Sequence, residues 1–235
     1  MLIVINLTGT PYEQTEEYRQ KKEILDARAA KFKAETGFVG DIAYSYQYMR
    51  FSQLYGTFNG IHLATPHDLK TAERVLDQIL QRITPFISAR EGQLIPSVIE
   101  DSRYTVSKKW VQKINGYSVH PGGIIRIAYN IDTQEFIISD GTVDIPDTPV
   151  PMNISKEDAK QIMIAEYKKS EYYNNREWGI SKEPSIAYIN VSTSREPLQY
   201  RLCWSMHFFQ VSFSIDVETL EIHQRMSIMM RSVLQ

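Results

Sequence analysis

The residue pair with the clearest chemical potential is Cys203 and His207, which project from the same side of the predicted strand LCWSMHF. A thiol beside an imidazole is the arrangement of a cysteine nucleophile with its general base. Residues four apart in a strand, however, lie about 13 Å from each other at about 3.3 Å per residue, beyond hydrogen-bond distance. We therefore predict that Cys203, the only cysteine, is a structural thiol.

The remaining polar residues form no recognisable catalytic or metal-binding pattern. The five histidines show no HExxH motif and no paired spacing on one helix, which argues against a zinc enzyme. Asp132 and Asp216 each precede a turn, where aspartate commonly caps its own backbone. No glycine-rich phosphate loop follows a strand and opens a helix. The sequence thus predicts no catalytic residue, no metal ligand and no cofactor.

Composition limits the classes of partner. The 235 residues carry a formal net charge of -2, without a dense block of lysine and arginine, so nucleic acid and anionic membranes are disfavoured. The apolar run near the first residue lacks a basic flank and a cleavage site and is too short to span a bilayer. We expect a globular protein without a transmembrane segment.

Two elements are predicted before residue 60. Apolar positions on one face predict a helix from Glu16 to Thr36, with Gly37 as its C-terminal cap. The alternation in IAYSYQYM then predicts a strand that carries three tyrosines on one side. These tyrosines are Tyr44, Tyr46 and Tyr48.

Two further helices have the same design. In the first, Thr65 is the expected N-cap, Pro66 the first helical residue and Asp68 the third, and Pro85 ends the helix. Its predicted buried stripe is Leu69, Ala72, Leu76, Ile79 and Ile83. The second, Lys156 to Lys169, has Ser155 as its cap, Asp158 in the third position, and a stripe of Ala159, Ile162, Met163 and Tyr167.

Helix and hairpin recur together, which predicts an internal duplication. Asp68 and Asp158 are 90 positions apart, and the aspartates of the hairpins GGIIRIAYNIDTQEF and FQVSFSIDVETLEI are 84 apart. Each hairpin alternates a predicted buried face with a wet face, and the wet face of the first carries Arg126 and Asn130. The strands of the second copy alternate in the same way, with Leu202 and Phe213 on the predicted buried face and with Cys203, Ser205, Ser214 and Asp216 on the predicted wet face. The proline-rich stretch DIPDTPVPMN separates the copies as an extended linker.

The second copy resembles the PepSY domain family and the related propeptides of thermolysin-like peptidases. The matching positions are Ile154, Ser155 and Ala159 at the helix start, Leu202 and Trp204 on a strand, and Asp216 and Thr219 at a turn. Upstream, Gln112, Asn115 and Gly116 are similar to the propeptide version of the motif. The matches cover roughly residues 105 to 225, and Leu220 stands where the family has glycine.

The predicted architecture is α+β, with two helix-plus-antiparallel-sheet, PepSY-like units after an N-terminal helical segment. The expected boundaries are 1–60 for the N-terminal helix and tyrosine-rich strand, 61–145 for the first unit, 146–153 for the linker and 154–235 for the second unit.

The resemblance implies a non-catalytic, extracytoplasmic protein (periplasmic, cell-surface or secreted) whose partner is a protein, plausibly a peptidase that it inhibits or chaperones. A cytoplasmic location stays open. The alternative is a cell-envelope module that binds a small ligand or glycan through an aromatic strand face. The candidate binding residues are Tyr44, Tyr46, Tyr48, Arg126 and Asn130, although a tyrosine row is more often packed under a helix.

Overall fold

The computed structural model describes residues 15–46, 49–173, 183–192, 198–208 and 211–226. These residues form three α-helices and twelve β-strands, so the predicted α+β class is confirmed. The helices are α1 (Glu16–Thr36), α2 (Leu69–Ile83) and α3 (Lys156–Lys169). The strands are β1 (Phe38–Ser45), β2 (Arg50–Phe58), β3 (Leu94–Pro96), β4 (Glu100–Asp101), β5 (Thr105–Ile114), β6 (Tyr117–His120), β7 (Ile124–Asn130), β8 (Glu135–Asp140), β9 (Ser185–Asn190), β10 (Tyr200–His207), β11 (Val211–Asp216) and β12 (Ile222–Met226).

The chain divides into two compact units. The first contains the described residues up to Ser88 together with 96–110 and 124–141. The second contains 89–95, 111–123 and the described residues from Thr142 onward. In the first unit α2 contacts β7, and in the second α3 contacts β10 and β11. Helix α3 therefore packs on an antiparallel pair of strands and α2 on a strand of an antiparallel sheet, in agreement with the sequence-based prediction.

Helices α1 and α3 begin and end where the sequence predicted. The Thr15 hydroxyl accepts the N–H of Tyr18 at 3.1 Å, and Gly37 ends α1 in the left-handed region at φ 69. In α3 the Ser155 hydroxyl accepts the N–H of Asp158 at 3.1 Å and donates to its carboxylate at 2.6 Å. Local capping chemistry therefore fixes both helices.

Helix α2 starts three residues later than predicted. Its N-cap is Asp68 and not Thr65, because the Asp68 carboxylate accepts the N–H of Lys70 at 3.2 Å and the hydroxyl of Thr71 at 2.7 Å. The Thr65 carbonyl instead accepts the N–H of Asp68 in a turn that precedes the helix. The later start leaves Leu69 exposed. The buried stripe is Ala72, Val75, Leu76, Ile79 and Ile83.

In the sheet of the first unit the strand order is β1-β2-β8-β7-β5, with β4 paired to β5. The predicted strand through Met49 is wrong, because β1 starts at Phe38 and ends at Ser45 and Tyr46 lies in a turn. Tyr48 lies outside the described residues.

Phe32 of α1 organises the core of the first unit. Its ring centroid lies 5.5 Å from Phe38, 5.4 Å from Phe51 and 5.1 Å from Phe86. Phe32 is fully buried, so this one helix residue fixes α1 against β1 and β2.

Two glycines face each other where β1 and β2 pair. Gly40 is opposite Gly56, with φ angles of 152 and 155. A Cβ on Gly40 would lie 2.1 Å from the carbonyl oxygen of Tyr55, and one on Gly56 would lie 2.1 Å from that of Val39. Only glycine fits at either position without moving the backbone.

In the sheet of the second unit the strand order is β6-β9-β10-β11-β12, in which only β6 and β9 pair in parallel among the described strands. The end of β5 reaches β6 through Asn115 and Gly116, whose positive φ angles of 52 and 84 form the predicted turn. The core lies between this sheet and α3, where Met163 and Tyr167 are buried, whereas Ile162, predicted to be buried, is 38% exposed.

The strand face of the second unit that was predicted to be wet is mostly buried. Cys203 is completely buried, and Ser205, Ser214 and Asp216 are less than 9% exposed. The hydroxyls of Ser205 and Ser214 lie 2.6 Å apart and satisfy each other by a hydrogen bond. Small paired hydroxyls of this kind can be buried at little cost, which alternation alone does not reveal.

Side-chain hydrogen bonds of Gln112, on β5, hold the irregular segment that follows β8. Its side chain is fully buried, and its amide accepts the N–H of Val143 at 3.0 Å and donates to the Val143 carbonyl at 2.7 Å. It also donates to the side chain of Gln93 at 2.8 Å, which itself reaches the Asp147 carboxylate. The glutamine of the propeptide-like motif thus has a structural task here.

Candidate binding surface

One face of the first unit's sheet lies opposite the side that contacts α1 and α2, and we call it the open face. Strand alternation places its side chains, since inward residues such as Phe38 and Leu54 are buried while their neighbours are not. By strand register the open face comprises Val39, Asp41, Gln53, Tyr55, Thr57, Glu100, Ser107, Lys109, Ile124, Arg126, Ala128, Asn130, Ile137 and Ser139. Of these, Ser107 and Ala128 are buried.

Three large apolar side chains of the open face are exposed. Val39 is 57% exposed, Tyr55 40% and Ile124 43%. The Tyr55 hydroxyl donates to the side-chain oxygen of Gln53, which lies on the same face two residues away. The apolar body of Tyr55 therefore remains available while its polar end is held.

Arg126 lies on the central strand pair of the open face and is exposed. It is opposite Ser139, and its guanidinium donates to the Ser107 hydroxyl at 3.0 Å. Glu100 lies 3.7 Å from Arg126 and accepts a hydrogen bond from Lys109 at 2.6 Å. That bond from Lys109 lowers the pKa of Glu100, and the charge of Arg126 lowers it further. The face thus carries a cationic pair with one shared carboxylate.

Asn130 belongs to the open face by strand register, but its side chain serves the hairpin turn. Its Oδ1 accepts the N–H groups of Asp132 at 3.0 Å and Thr133 at 3.1 Å. The prediction that Asp132 caps this turn is therefore wrong, because Asn130 does so. Asp216 behaves as predicted, since its Oδ1 accepts the N–H groups of Glu218 and Thr219.

Tyr44 and Tyr46 do not share the open face with Arg126. The Tyr44 hydroxyl donates to Asp26 of α1 at 2.9 Å, and Tyr46 meets Tyr18 of α1 with a hydroxyl separation of 3.2 Å. Burial, together with the bond to Asp26, raises the pKa of Tyr44 to about 12. The bond to Tyr18, together with burial, raises the pKa of Tyr46 to about 12. Both tyrosines are half-buried under the helix.

Sequence reasoning missed Val39 and Tyr55. The signal for Tyr55 is the alternation in RFSQLYGTF, where Gln53, Tyr55 and Thr57 separate the buried Leu54 and Phe58. Val39 carries a weaker signal, because Gly37 and Gly40 flank it and resemble loop residues. Only the pairing of β1 with β2 shows that Val39 extends the same face.

The residues with nucleophilic potential in the second unit have separate environments. Cys203 is fully buried, and burial raises the pKa of its thiol to about 12. His207 instead meets Ser212 on the neighbouring strand, with Nδ1 2.7 Å from Oγ. His207 and Ser212 are directly opposite on β10 and β11, so this contact is a cross-strand pair, and its distance alone does not define an active site. This contact could not be predicted from the sequence, because His207 and Ser212 lie on different strands and only the pairing of β10 with β11 brings them together.

A buried lysine joins α2 to the sheet of the first unit. The Lys108 ammonium lies 2.7 Å from Glu73 and 2.9 Å from Asp77, and its side chain is 4% exposed. Burial opposes the charged form, but hydrogen bonds to both carboxylates outweigh it and raise the pKa of Lys108. Glu73 and Asp77 are four residues apart and lie on the same face of α2, so their bonds to Lys108 fix the position of that helix face against β5.

Across the described ranges, no cluster of three or more histidine, cysteine, aspartate or glutamate side chains is placed to hold a metal ion. None of the helices in the part of the chain that the structure describes has the length and hydropathy needed to cross a membrane.

Comparison with known proteins gives distant structural similarity. No protein-family model matches the chain, and no curated protein matches it. Among solved structures, it is similar to the Bacillus megaterium YpeB C-terminal domain, with 13% sequence identity and a TM-score of 0.32 over 86% of this chain and 96% of that one. Similarity at this level carries no argument about function, and the resemblance to the PepSY family stays a prediction.

Proposed function

We propose that this protein is a non-catalytic extracytoplasmic module that binds a protein partner on the open face of its first unit. The observation that carries the proposal is the combination of Val39, Tyr55 and Ile124, all exposed, with the cationic side chain of Arg126. Aromatic residues and arginine are enriched at protein interfaces, and exposed apolar side chains beside polar ones are typical of binding patches.

The open face is better suited to binding a protein than the exposed edge of strand β1, to which a partner could bind only by adding a strand. Gly40 gives this strand an unusual φ of 152, and the pairing of β1 with β2 is irregular between Ala43 and Tyr44. Kinks and bulges of this kind oppose the addition of a further strand. The partner therefore contacts side chains of the open face rather than adding a strand to the sheet.

A peptidase is the proposed partner, which the protein inhibits or chaperones. The support for this class is the resemblance of the second unit to peptidase propeptides, carried by residues such as Ser155, Trp204 and Asp216. The extracytoplasmic location has the same support. Binding needs no metal or cofactor in this proposal, so a chelator leaves it intact.

The alternative, a glycan bound by Tyr44, Tyr46 and Tyr48, has less support. The hydroxyls of Tyr44 and Tyr46 are already hydrogen-bonded to groups of α1, and both rings are partly covered. A sugar would have to displace these contacts. A glycan array with the wild-type protein and the Tyr46→Ala variant distinguishes the two functions.

The test is site-specific photo-crosslinking in the organism that encodes the protein. A photoreactive amino acid at position 55 lies on the open face, and one at position 23 lies on the exposed side of α1 as a matched control. We expect a defined crosslinked partner from position 55 and not from position 23.

The captured partner is then assayed as a pure enzyme. If it is a peptidase, the wild-type protein and the Glu23→Ala control should change its activity or its refolding yield, and Tyr55→Ala and Arg126→Ala should not. Equal crosslinking from both positions, or substrate turnover by the pure protein that one substitution abolishes, would contradict the proposal.

A further inference from the structure

The second unit contains a cavity of about 260 Å³. Most of its wall is apolar and comes from Tyr117, Val150, Met152 and Leu202. Tyr117 and Leu202 lie on strands of the sheet, and Val150 and Met152 lie on the irregular chain between β8 and α3. The cavity is therefore bounded by a sheet on one side and by the proline-rich segment on the other.

Tyr188 is a wall residue of this cavity with an unusual environment. It is 3% exposed, and its hydroxyl has no hydrogen-bond partner among the described residues. Burial raises the pKa of this hydroxyl, and a side-chain contact with Asn115 opposes that rise. The contact does not meet hydrogen-bond geometry, however, and the Asn115 amide donates to the Thr148 carbonyl at 3.1 Å. A buried hydroxyl without a partner is destabilising, so its presence needs a reason.

The chemistry of the site favours a neutral acceptor. Burial raises the pKa of Tyr188, so its hydroxyl is protonated and can donate at neutral pH. Among the described residues that line the cavity, none is lysine, arginine or histidine, and the negative charge of Asp147 also acts on the Tyr188 hydroxyl. An anionic ligand would lose its hydration without gaining a counter-charge. A carbonyl oxygen would gain the missing hydrogen bond at no such cost.

The wall formed by the irregular chain is held in place. Gln112 binds Val143 at one end, Asn115 binds Thr148 near the middle, and the N–H of Asn153 donates to the Val217 carbonyl at 2.8 Å at the other end. These tethers preform the cavity. Met152 is 46% exposed, and its flexible side chain can adjust to a ligand.

We propose that this cavity binds a compact, neutral and mainly apolar molecule that offers one carbonyl oxygen to the hydroxyl of Tyr188. The volume lies just below the range of about 300–1,000 Å³ that is usual for ligand sites, so the ligand is smaller than most cofactors. This site is separate from the open face and does not depend on the proposed protein partner.

The experiment compares two probes that differ in one group, acetophenone and ethylbenzene, by titration of the full chain followed by amide NMR. Acetophenone should shift the resonances of Tyr117, Val150, Tyr188 and Leu202 and bind about tenfold more tightly than ethylbenzene, since only its carbonyl can accept from Tyr188. The Tyr188→Phe variant should bind both probes equally and should not lose thermal stability, because it removes an unpaired polar group.

A second variant tests the location. Val150→Phe fills the cavity and should abolish the shifts caused by both probes. Absence of these shifts in the wild-type protein, or a preference for acetophenone that persists in Tyr188→Phe, overturns the proposal.

Discussion

Asn130 and Asp216 perform the same task 86 positions apart. In each unit the side-chain Oδ1 accepts two backbone N–H groups of the hairpin turn, at 2.8 to 3.1 Å. Gln134 and Leu220, also 86 apart, then adopt the left-handed conformation with φ angles of 57 and 63. The two hairpins therefore share one turn design.

The helix caps follow nearly the same spacing. Asp68 and Ser155, the observed N-caps of α2 and α3, are 87 positions apart. The sequence-based spacings of 90 and 84 used residues that are not equivalent, and the structural ones agree to one residue. The neighbours also correspond, since β7 lies between β8 and β5 as β11 lies between β12 and β10. Superposition of the two helix-plus-sheet elements stays a prediction.

Leu220→Gly should stabilise the protein by up to about 1 kcal/mol. Leucine is strained at φ 63, whereas glycine adopts this conformation freely, and Leu220 is 49% exposed, so little packing is lost. Thermal and urea unfolding measure the change. Leu220→Ala is the matched control, because alanine keeps the strain and should give no gain. Equal effects of the two substitutions would show that the backbone conformation is not the cause.

Gly40→Ala and Gly56→Ala should each destabilise the first unit by about 2–4 kcal/mol. The added Cβ meets a backbone carbonyl oxygen at 2.1 Å, which no side-chain movement relieves. Gly60→Ala is the control, since Gly60 has a positive φ of 73 but open space around its Cβ position. Its cost should be about 1 kcal/mol. Urea denaturation of the three variants checks the order, and a Gly60 effect as large as the others would contradict it.

Lys108→Met should remove a pH dependence of stability at high pH. The folded-state pKa of Lys108 is raised above its ordinary value of 10.5, so its stabilisation is present below pH 10.5 and is lost as the pH rises through the folded-state pKa. At neutral pH the cost should be only about 1 kcal/mol, because Glu73 and Asp77 are nearly half exposed and can hydrate.

The comparison of Lys108→Met with the wild-type protein also removes the contribution of the tyrosines, which titrate in the same range. Urea unfolding at several pH values should therefore give a difference between the two proteins that narrows as the pH rises. A difference that stays constant would show that the Lys108 ion pairs do not stabilise the fold.

Cys203 should be inert to thiol reagents in the native protein and fully reactive after unfolding. Complete burial blocks access, and a thiol pKa of about 12 leaves almost no thiolate at neutral pH. Colorimetric thiol titration in buffer and in concentrated guanidinium measures both states. Rapid labelling of the native protein accompanied by loss of binding would instead assign Cys203 to an accessible site.

Local rules predicted α1 and α3 to the residue because each has one strong cap and one clear end. The same rules misplaced the start of α2, because Thr65 and Asp68 are both good N-cap residues. Only the hydrogen bonds that the Asp68 carboxylate accepts from Lys70 and Thr71 show that Asp68 is the N-cap. Alternation placed Leu202 and Phe213 on a buried face correctly. It could not show that the opposite face is also covered, because serine fits both environments.

The candidate binding surface was only partly predictable. Arg126 is visible in the sequence because an arginine interrupts an apolar alternation, but Val39 joins it only through the register of β1, β2, β8 and β7. The Tyr188 cavity has no sequence signal, since a lone tyrosine in a strand usually finds a partner for its hydroxyl.

The bond between Gln112 and Val143 also bears on proteolysis. Peptidases bind extended, unattached backbone, and a proline-rich stretch between regular elements is the kind of chain that they usually nick. Here a side-chain amide occupies both the N–H and the carbonyl of Val143, as a neighbouring strand would. If the partner is a peptidase, as proposed, this pairing would make the backbone at Val143, next to the proline-rich segment, a poor substrate for that enzyme.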